Sequence, residues 1–403
     1  MVRAQAYWVH RVRLLLAIAL FWMGLYVYVP TLTPYVAKLG GSDALAGLVV
    51  AAYGVPQLTM RIGLGVWADR LGRQRPFMLA GFFLVAMSSL GMAWVANAAW
   101  LAVFRFVAGM AASNWAMFSI AYLGLNTTNH HPQAMGWVTF ANNAGQVVAA
   151  LLGGFLVAHF GWVSPFQASA ILALLGLALV LTHPKAPEIV AQAPTQPSGR
   201  IGWLQILRDP WLKRASLLGA LMQAATFITT YGYVPLLAVH YGLARGNLGL
   251  LMACGMVPTI VMSVVTGSWL SRTLDSSTLL LTGFVLASLA IVLTPLIGHH
   301  LAWVFILQAM LGAARGVIAP LLMAWSISTI AVEQRTTAMA TYQSLYAIGM
   351  IFGPVLAAVV VSVWGLHASF WLAGALGVIG GLIAASVAGR PAPTQPSADL
   401  SVE

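Results

Sequence analysis

Acidic residues are scarce in this chain: Asp and Glu together supply 8 of 403 residues. They are Asp43, Asp69, Glu188, Asp209, Asp275, Glu333, Asp399 and Glu403, and none lies inside a long apolar stretch. Charge of either sign is rare, at 7% of the residues, against roughly 25% in a soluble domain. That shortage, with 60% hydrophobic residues, excludes a water-soluble globular class and places the chain in a bilayer. There is one cysteine, Cys254, so no intramolecular disulfide can staple the fold. Histidine is missing from the interiors of the apolar runs as well, since all nine fall near their ends or in the segments between them. What the interior does contain is positive charge, at Arg61, Arg105 and Arg315.

No Asp, Glu, Lys or Arg occurs from 14 to 37, 44 to 60, 76 to 104, 106 to 184, 215 to 244, 246 to 271, 276 to 314, 316 to 332 or 336 to 389. A span needs about 20 apolar residues, so the longer intervals hold two or three helices each. Turn signals at Asn97–Ala99, Asn126–Pro132, His159–Gly161, His299–His300 and Gly365–His367 divide them. The expectation is an all-α polytopic membrane protein with twelve transmembrane helices, near 14–35, 44–66, 76–96, 100–123, 134–158, 163–181, 215–238, 248–270, 277–298, 301–328, 338–363 and 369–388. Six belong to an amino-terminal bundle (1–182) and six to a carboxy-terminal bundle (215–390). Between them residues 183–214, with Pro184, Pro187, Pro194 and Pro197, read as a linker, and 391–403 as a disordered tail. Asp43, after Gly41 and Ser42, reads as the N-cap of the second span.

With both termini cytoplasmic, the inner segments collect Arg3, Arg11, Arg13, Arg70, Arg73, Arg75, Lys185, Arg200, Arg208, Lys213, Arg214, Arg272, Arg335 and Arg390, and the outer ones only Lys38 and Arg245. This is the positive-inside pattern of a multi-pass protein of the cytoplasmic membrane. The net charge of +11 is thereby a topology signal and calls for no nucleic-acid partner.

The two halves repeat. Tyr26-Val27-Tyr28-Val29-Pro30 returns as Tyr231-Gly232-Tyr233-Val234-Pro235, and Val55-Pro56 as Val257-Pro258. Arg105 and Gly109 align with Gln308 and Gly312, and Gly145 and Gly161 with Gly349 and Gly365. An offset near 203 residues held across a half points to duplication. Because it covers an even number of spans, the halves are parallel pseudo-repeats, an arrangement that places a site near the midplane between them and permits alternating access.

The segment Gly65-Val66-Trp67-Ala68-Asp69-Arg70-Leu71-Gly72-Arg73-Gln74-Arg75 resembles the signature between the second and third helices of the major facilitator superfamily, with a degenerate copy at Gly267–Arg272. The resemblance covers nearly the whole chain and implies a secondary transporter with no cofactor and no metal, most often a monomer. It further implies a gating latch of Gly65, Asp69, Arg70, Gly72, Arg73 and Arg75, in which Asp69 faces the amino end of the eleventh helix, where a carboxylate is favoured. The acid that relatives often carry at the end of the fourth helix is replaced here by Leu123-Gly124-Leu125-Asn126. Arg105-Phe106-Val107-Ala108-Gly109 resembles a motif of the twelve-helix drug/proton antiporter branch, as do Gly145, Gly153 and Gly154 in the fifth span. Gly349, Gly353 and Pro354 repeat that pattern in the eleventh, and these small residues are expected to act in packing or as hinges.

Arg61 lies eight residues before Asp69, about 12 Å along a helix. Arg315 falls near the middle of the tenth span. An arginine at such depth costs roughly 2.5–3.5 kcal/mol on insertion scales and normally faces a cavity or a partner. Polar neighbours at helical spacing complete a candidate substrate pathway of Arg61, Arg105, Arg315, Gln57, Tyr26, Tyr231, Asn114, Asn142, Gln146, Gln343 and Tyr346. Three readings follow. One is an efflux-type permease for a small solute, with or without a coupling ion. The second is uptake or exchange of a small anion on Arg61 and Arg315, resembling nitrate/nitrite porters, although the repeat partner of Arg61 is Ser263. The third is a sensor or scaffold on a transporter fold.

Overall fold

The computed structural model describes residues 2–71, 73–125, 131–182, 206–297, 300–330 and 334–386, and among them every regular element is helical. Among the described residues ten stretches are long and apolar enough to cross a membrane: Trp8–Lys38, Arg75–Trp94, Ala98–Leu123, Gln133–Phe160, Ser164–Leu181, Arg245–Thr273, Ser276–Ile297, Leu301–Trp325, Thr337–Trp364 and Leu366–Ala385. Two further helical segments run in pieces. The first is α3 (Asp43–Ala52), α4 (Gly54–Thr59) and α5 (Arg61–Leu71). The second is α11 (Pro210–Ile228), a π-helical turn (Thr229–Tyr233) and α12 (Val234–His240).

Prolines account for these interruptions. Pro30 has no N–H to offer the Tyr26 carbonyl, and its ring crowds that carbonyl. The rod accordingly breaks between α1 (Val2–Tyr26) and α2 (Val29–Lys38). Pro235 stands in the same relation to Tyr231, where the helix widens into the π turn. Pro56 likewise follows the end of α3 by four residues.

Several predicted boundaries shift. The first helix begins at Val2, well before 14, and the second segment continues to Leu71. The last helix starts at Leu366, because Gly365 alone, at φ 82°, makes the turn. Gly161 does the same at φ 88°, and the pair Gly40 and Gly242 takes φ 77° and 88°. Positive φ is accessible to glycine at little cost, and both pairs stand at the repeat offset. The N-cap expected at Asp43 belongs instead to Ser42, which is extended and accepts from the Leu45 N–H at 3.2 Å. Asp43 is the first helical residue, where its charge suits the helix dipole. Cys254 is partly exposed.

Tertiary contacts repeat as well. A Cβ on Gly109 would overlap the Tyr53 carbonyl, and one on Gly312 the Gly255 carbonyl. Gly145 sits against the Ala19 backbone and Gly349 against that of Ala220. Each half thus packs its helices through the same glycine notches. One apolar cluster draws mostly on residues 14 to 180 and a second on residues 206 to 384. Phe227, Tyr231, Met252, Met256, Ala347 and Met350 cross over to join the first. The outer surface carries exposed Trp94, Val363 and Leu382, as suits contact with lipid chains.

The halves meet closely at one end. A Cβ on Gly47 would come within 3.0 Å of the Pro354 carbonyl, and one on Gly54 within 2.8 Å of Ile351 Cγ1. On the other side, Gly154 in α9 (His131–Phe160) lies on the Gly246 carbonyl. Gly249 in α13 (Leu248–Val265) lies on the Ala150 carbonyl. The Thr33 hydroxyl also donates across, to the Gly232 carbonyl at 2.7 Å. Toward the end that bears Arg75, Arg272 and Arg335, Gly63, Gly65, Gly136 and Gly267 have open space within 4 Å of an added Cβ.

Candidate functional site

Between the closed and the open ends an aromatic row joins the halves. Trp115 meets Trp22 at 5.2 Å, Trp22 meets Tyr26 at 5.6 Å, and Tyr26 meets Tyr231 edge-on at 6.0 Å. Phe227 continues the row, 5.0 Å from Tyr231 and stacked on Tyr53 at 6.4 Å. Tyr26 and Tyr231 are the residues whose helices Pro30 and Pro235 distort, so the repeated motif sets two tyrosines opposite each other.

The three interior arginines have different surroundings. Arg105, in α7 (Ala98–Ser113), is 3% exposed. Its guanidinium lies 4.1 Å from the Tyr53 ring centre and 5.5 Å from that of Tyr28, and donates to the Tyr28 hydroxyl at 3.0 Å. Cation–π contacts strengthen when desolvated, to about 2 kcal/mol, and here they replace a counter-ion. Arg61 donates to Gln57 Oε1 at 2.7 Å and, across the halves, to Gln343 Oε1 at 3.4 Å. Arg315, in α16 (Leu301–Trp325), is half-buried with its guanidinium 5.8 Å from the Tyr231 ring centre.

Two cavities bear on the predicted pathway. A cleft of about 50 Å³ is lined from both halves by Asn143, Gln146, Tyr231, Met256, Thr259 and Arg315. A larger cavity of about 170 Å³ lies among α11, α16 and α17 (Arg335–Trp364), bounded by Met222, Gln223, Ile318, Leu322, Gln343 and Tyr346. Gln146, Tyr231, Arg315, Gln343 and Tyr346 therefore come to cavity walls. Asn142 receives a hydrogen bond from Gln146. Arg105 and Asn114 line neither cavity; Asn114 is 3% exposed, with its Cβ facing Gly81 within the amino-terminal half.

The expected hinge residues divide into two groups. Gly145 and Gly153 back onto the first helix, at Ala19 and Val27, while Gly349 and Gly353 back onto α11 at Ala220 and Ala224. Gly154 and the Pro354 carbonyl face the opposite half. Of the expected latch, Arg75 donates to the Leu181 carbonyl at 2.6 Å, at the end of α10 (Ser164–Leu181). Gly65 faces open space, and Arg73 lies between α5 and α6 (Arg75–Trp94). Gly72 and the side chains of Asp69 and Arg70 lie outside the described residues.

Sequence reading missed Tyr28, Tyr53 and Phe227 as arginine or ring partners. Tyr53 carries a usable signal, since Tyr53, Gln57 and Arg61 recur at four-residue intervals along one face. Phe227 and Tyr231 share that spacing.

Comparison with known proteins matches the family model of the Major Facilitator Superfamily over residues 14–244 and 216–401. Multidrug resistance protein 2 of Bacillus subtilis is 24% identical over 370 residues, 89% of this chain and 90% of that protein. Inner membrane transport protein YajR of Escherichia coli is 28% identical over 161 residues, 40% of this chain and 35% of that one. Among solved structures, a bacterial homologue of the human lysosomal transporter Spinster, inward-facing and unoccupied, superposes with a TM-score of 0.76. It is 15% identical and the match covers 94% of this chain and 96% of that one.

Proposed function

Since this chain belongs to the Major Facilitator Superfamily, we propose that it is an efflux-type permease of the drug-transporter branch, moving a small solute out across the cytoplasmic membrane by alternating access. In this reading the two broken segments are the second and seventh of twelve spans. Residues 1–182 and 210–390 are the two moving bundles, α11 beginning at Pro210 rather than at the expected 215, 183–209 join them, and both termini are cytoplasmic. The observation that carries the reading is the one-ended closure. Gly47, Gly154 and Gly249 leave no room for a Cβ between the halves at the end away from Arg75, Arg272 and Arg335, whereas nearer those residues Arg61 reaches the other half through a long hydrogen bond, 3.4 Å to Gln343. A cleft walled from both halves lies between. With the basic end inside, this is an inward-open state. The name of the Bacillus relative supports export.

A cross-link tests the cycle. A Cβ on Gly246 would lie 2.9 Å from that of Ala158 across the halves. A disulfide takes about 3.5–4.5 Å between Cβ atoms, which a shift of about 1 Å in the short Arg245–Asn247 turn supplies, so with Cys254→Ser as background Ala158→Cys with Gly246→Cys is expected to lock the closed end when oxidised. Cells producing the reduced pair should hold less of at least one of a set of cationic, neutral and anionic fluorescent amphiphiles. Oxidation should abolish that difference and reduction restore it. Export that survives complete cross-linking refutes alternating access, and equal retention of every dye refutes export.

A further inference from the structure

The interior arginines are not equivalent, and the difference identifies a substrate class. Arg61 already gives hydrogen bonds to two amide oxygens, of Gln57 and Gln343. Arg105 is enclosed by Tyr28 and Tyr53 and nearly inaccessible. Among the described residues no hydrogen bond or ion pair engages Arg315, which stands half-buried at the wall of the cleft between the halves. A guanidinium presents five N–H donors and no acceptor, in a fork matched to carboxylate, sulfonate or phosphate oxygens. Around it the cleft offers the amides of Asn143 and Gln146 and the Tyr231 ring, and no acid.

One turn further along α16, about 5 Å, the helix changes character. Ile318, Ala319 and Leu322 open into the larger cavity, whose other walls include Met222, Met323 and Tyr346. Thioether side chains adapt to varied apolar shapes, and tyrosine rings stack on flat ones. A cationic anchor next to an apolar, aromatic chamber suits a solute with an anionic head and a lipophilic aromatic body.

The same residues bear on the driving force. No Asp or Glu occurs in the sequence from 76 to 184, 210 to 274, 276 to 332 or 334 to 398, so a carboxylate is not at hand in the helices around Arg315 to carry a proton back against an exported solute. An anion does not need one. An inside-negative potential of about 100 mV holds a monovalent anion about 50-fold more concentrated outside at equilibrium.

We propose that the cleft and cavity together form a site for lipophilic aromatic monoanions, headed on Arg315, and that export is electrogenic and runs down the membrane potential. This rests on the alternating-access export reading above. The test uses the full chain in liposomes with two permanent ions of similar shape, naphthalene-1-sulfonate and N-methylquinolinium. Naphthalene-1-sulfonate is expected to cross and to redistribute about 50-fold on a valinomycin-imposed potential of about 100 mV. A pH step of about one unit at zero potential should leave its distribution unchanged. Arg315→Gln should lower the ratio of sulfonate to quinolinium flux at least tenfold, a quantity independent of how much protein is folded. Arg315→Lys, which keeps charge without the fork, should fall between.

Preference for N-methylquinolinium, a distribution that follows pH instead of potential, or an unchanged flux ratio in Arg315→Gln overturns the inference. Absence of facilitated flux for both ions does so too. The cross-linked pair judges export separately: cross-link-sensitive export of a cationic or neutral dye without anion preference overturns this inference alone, and equal retention of every dye, the anionic ones included, overturns the export reading.

Discussion

Gly153 and Gly154 are neighbours in α9, yet replacing each with alanine should perturb different equilibria. A methyl at 153 meets the Val27 carbonyl, inside the amino-terminal half, a contact that the proposed rocking of one half against the other leaves unchanged. A methyl at 154 meets the Gly246 carbonyl and the Gly249 backbone, across the halves and only at the closed end. Forcing a methyl into a packed contact costs about 1–3 kcal/mol. For Gly153→Ala that cost falls on both conformations and appears as lost fold stability. For Gly154→Ala it falls on the conformation seen here, which shifts the equilibrium by about 5- to 150-fold toward the one closed at the basic end. Trp67 and Trp269, equivalent in the two repeats and 58% and 62% exposed, give labelling positions at that end. Spin labels on Trp67→Cys and Trp269→Cys, with Cys254→Ser, should show a longer distance population in the parent chain. Gly154→Ala should transfer weight to a shorter one, while Gly153→Ala lowers the melting temperature and leaves the distribution in place. Equal shifts in both variants, or none with Gly154→Ala, refute the division of glycines into packing and gating.

Tyr28→Phe keeps the ring beside Arg105 and removes the hydroxyl that accepts from it, leaving a buried donor unpaired. A loss of about 1–3 kcal/mol in stability is expected, read as a lower melting temperature in detergent with the spin-label distribution unchanged. Asp69→Asn, in the segment that resembles the superfamily signature, is expected to cut turnover while the yield of folded protein stays at the parent level. Parent-level transport in that variant removes the latch from the mechanism.

Much of the scaffold was legible in the chain because it depends on local chemistry or on repetition. Pro30 and Pro235 mark the distorted turns, and Gly161 and Gly365 mark positions that must take positive φ. What one dimension does not supply is the azimuth of one helix against another. Tyr26 and Tyr28 sit two apart in one repeated motif and point to different sides. Tyr26 meets Tyr231 across the halves, and Tyr28 holds Arg105 within its own half. The choice is made by the rotation of α7 against α1 and α2, elements some 77 residues apart in the hydrogen bond concerned. Adjacent Gly153 and Gly154 divide for the same reason.

The charges obey a different logic from the scaffold. At the repeat offsets Arg61 aligns with Ser263, Arg105 with Gln308 and Arg315 with Ala112. Gln308 still keeps part of the architecture, because its side-chain oxygen accepts from Thr230 in the π turn after α11 much as Arg105 reaches Tyr28 at the break after α1. Ala112, by contrast, is fully buried and offers nothing polar. The glycine notches recur in both halves and the arginines do not. Symmetry therefore accounts for how each half packs, and in the proposed transport reading the solute is recognised where symmetry fails, which in the cleft is at Arg315.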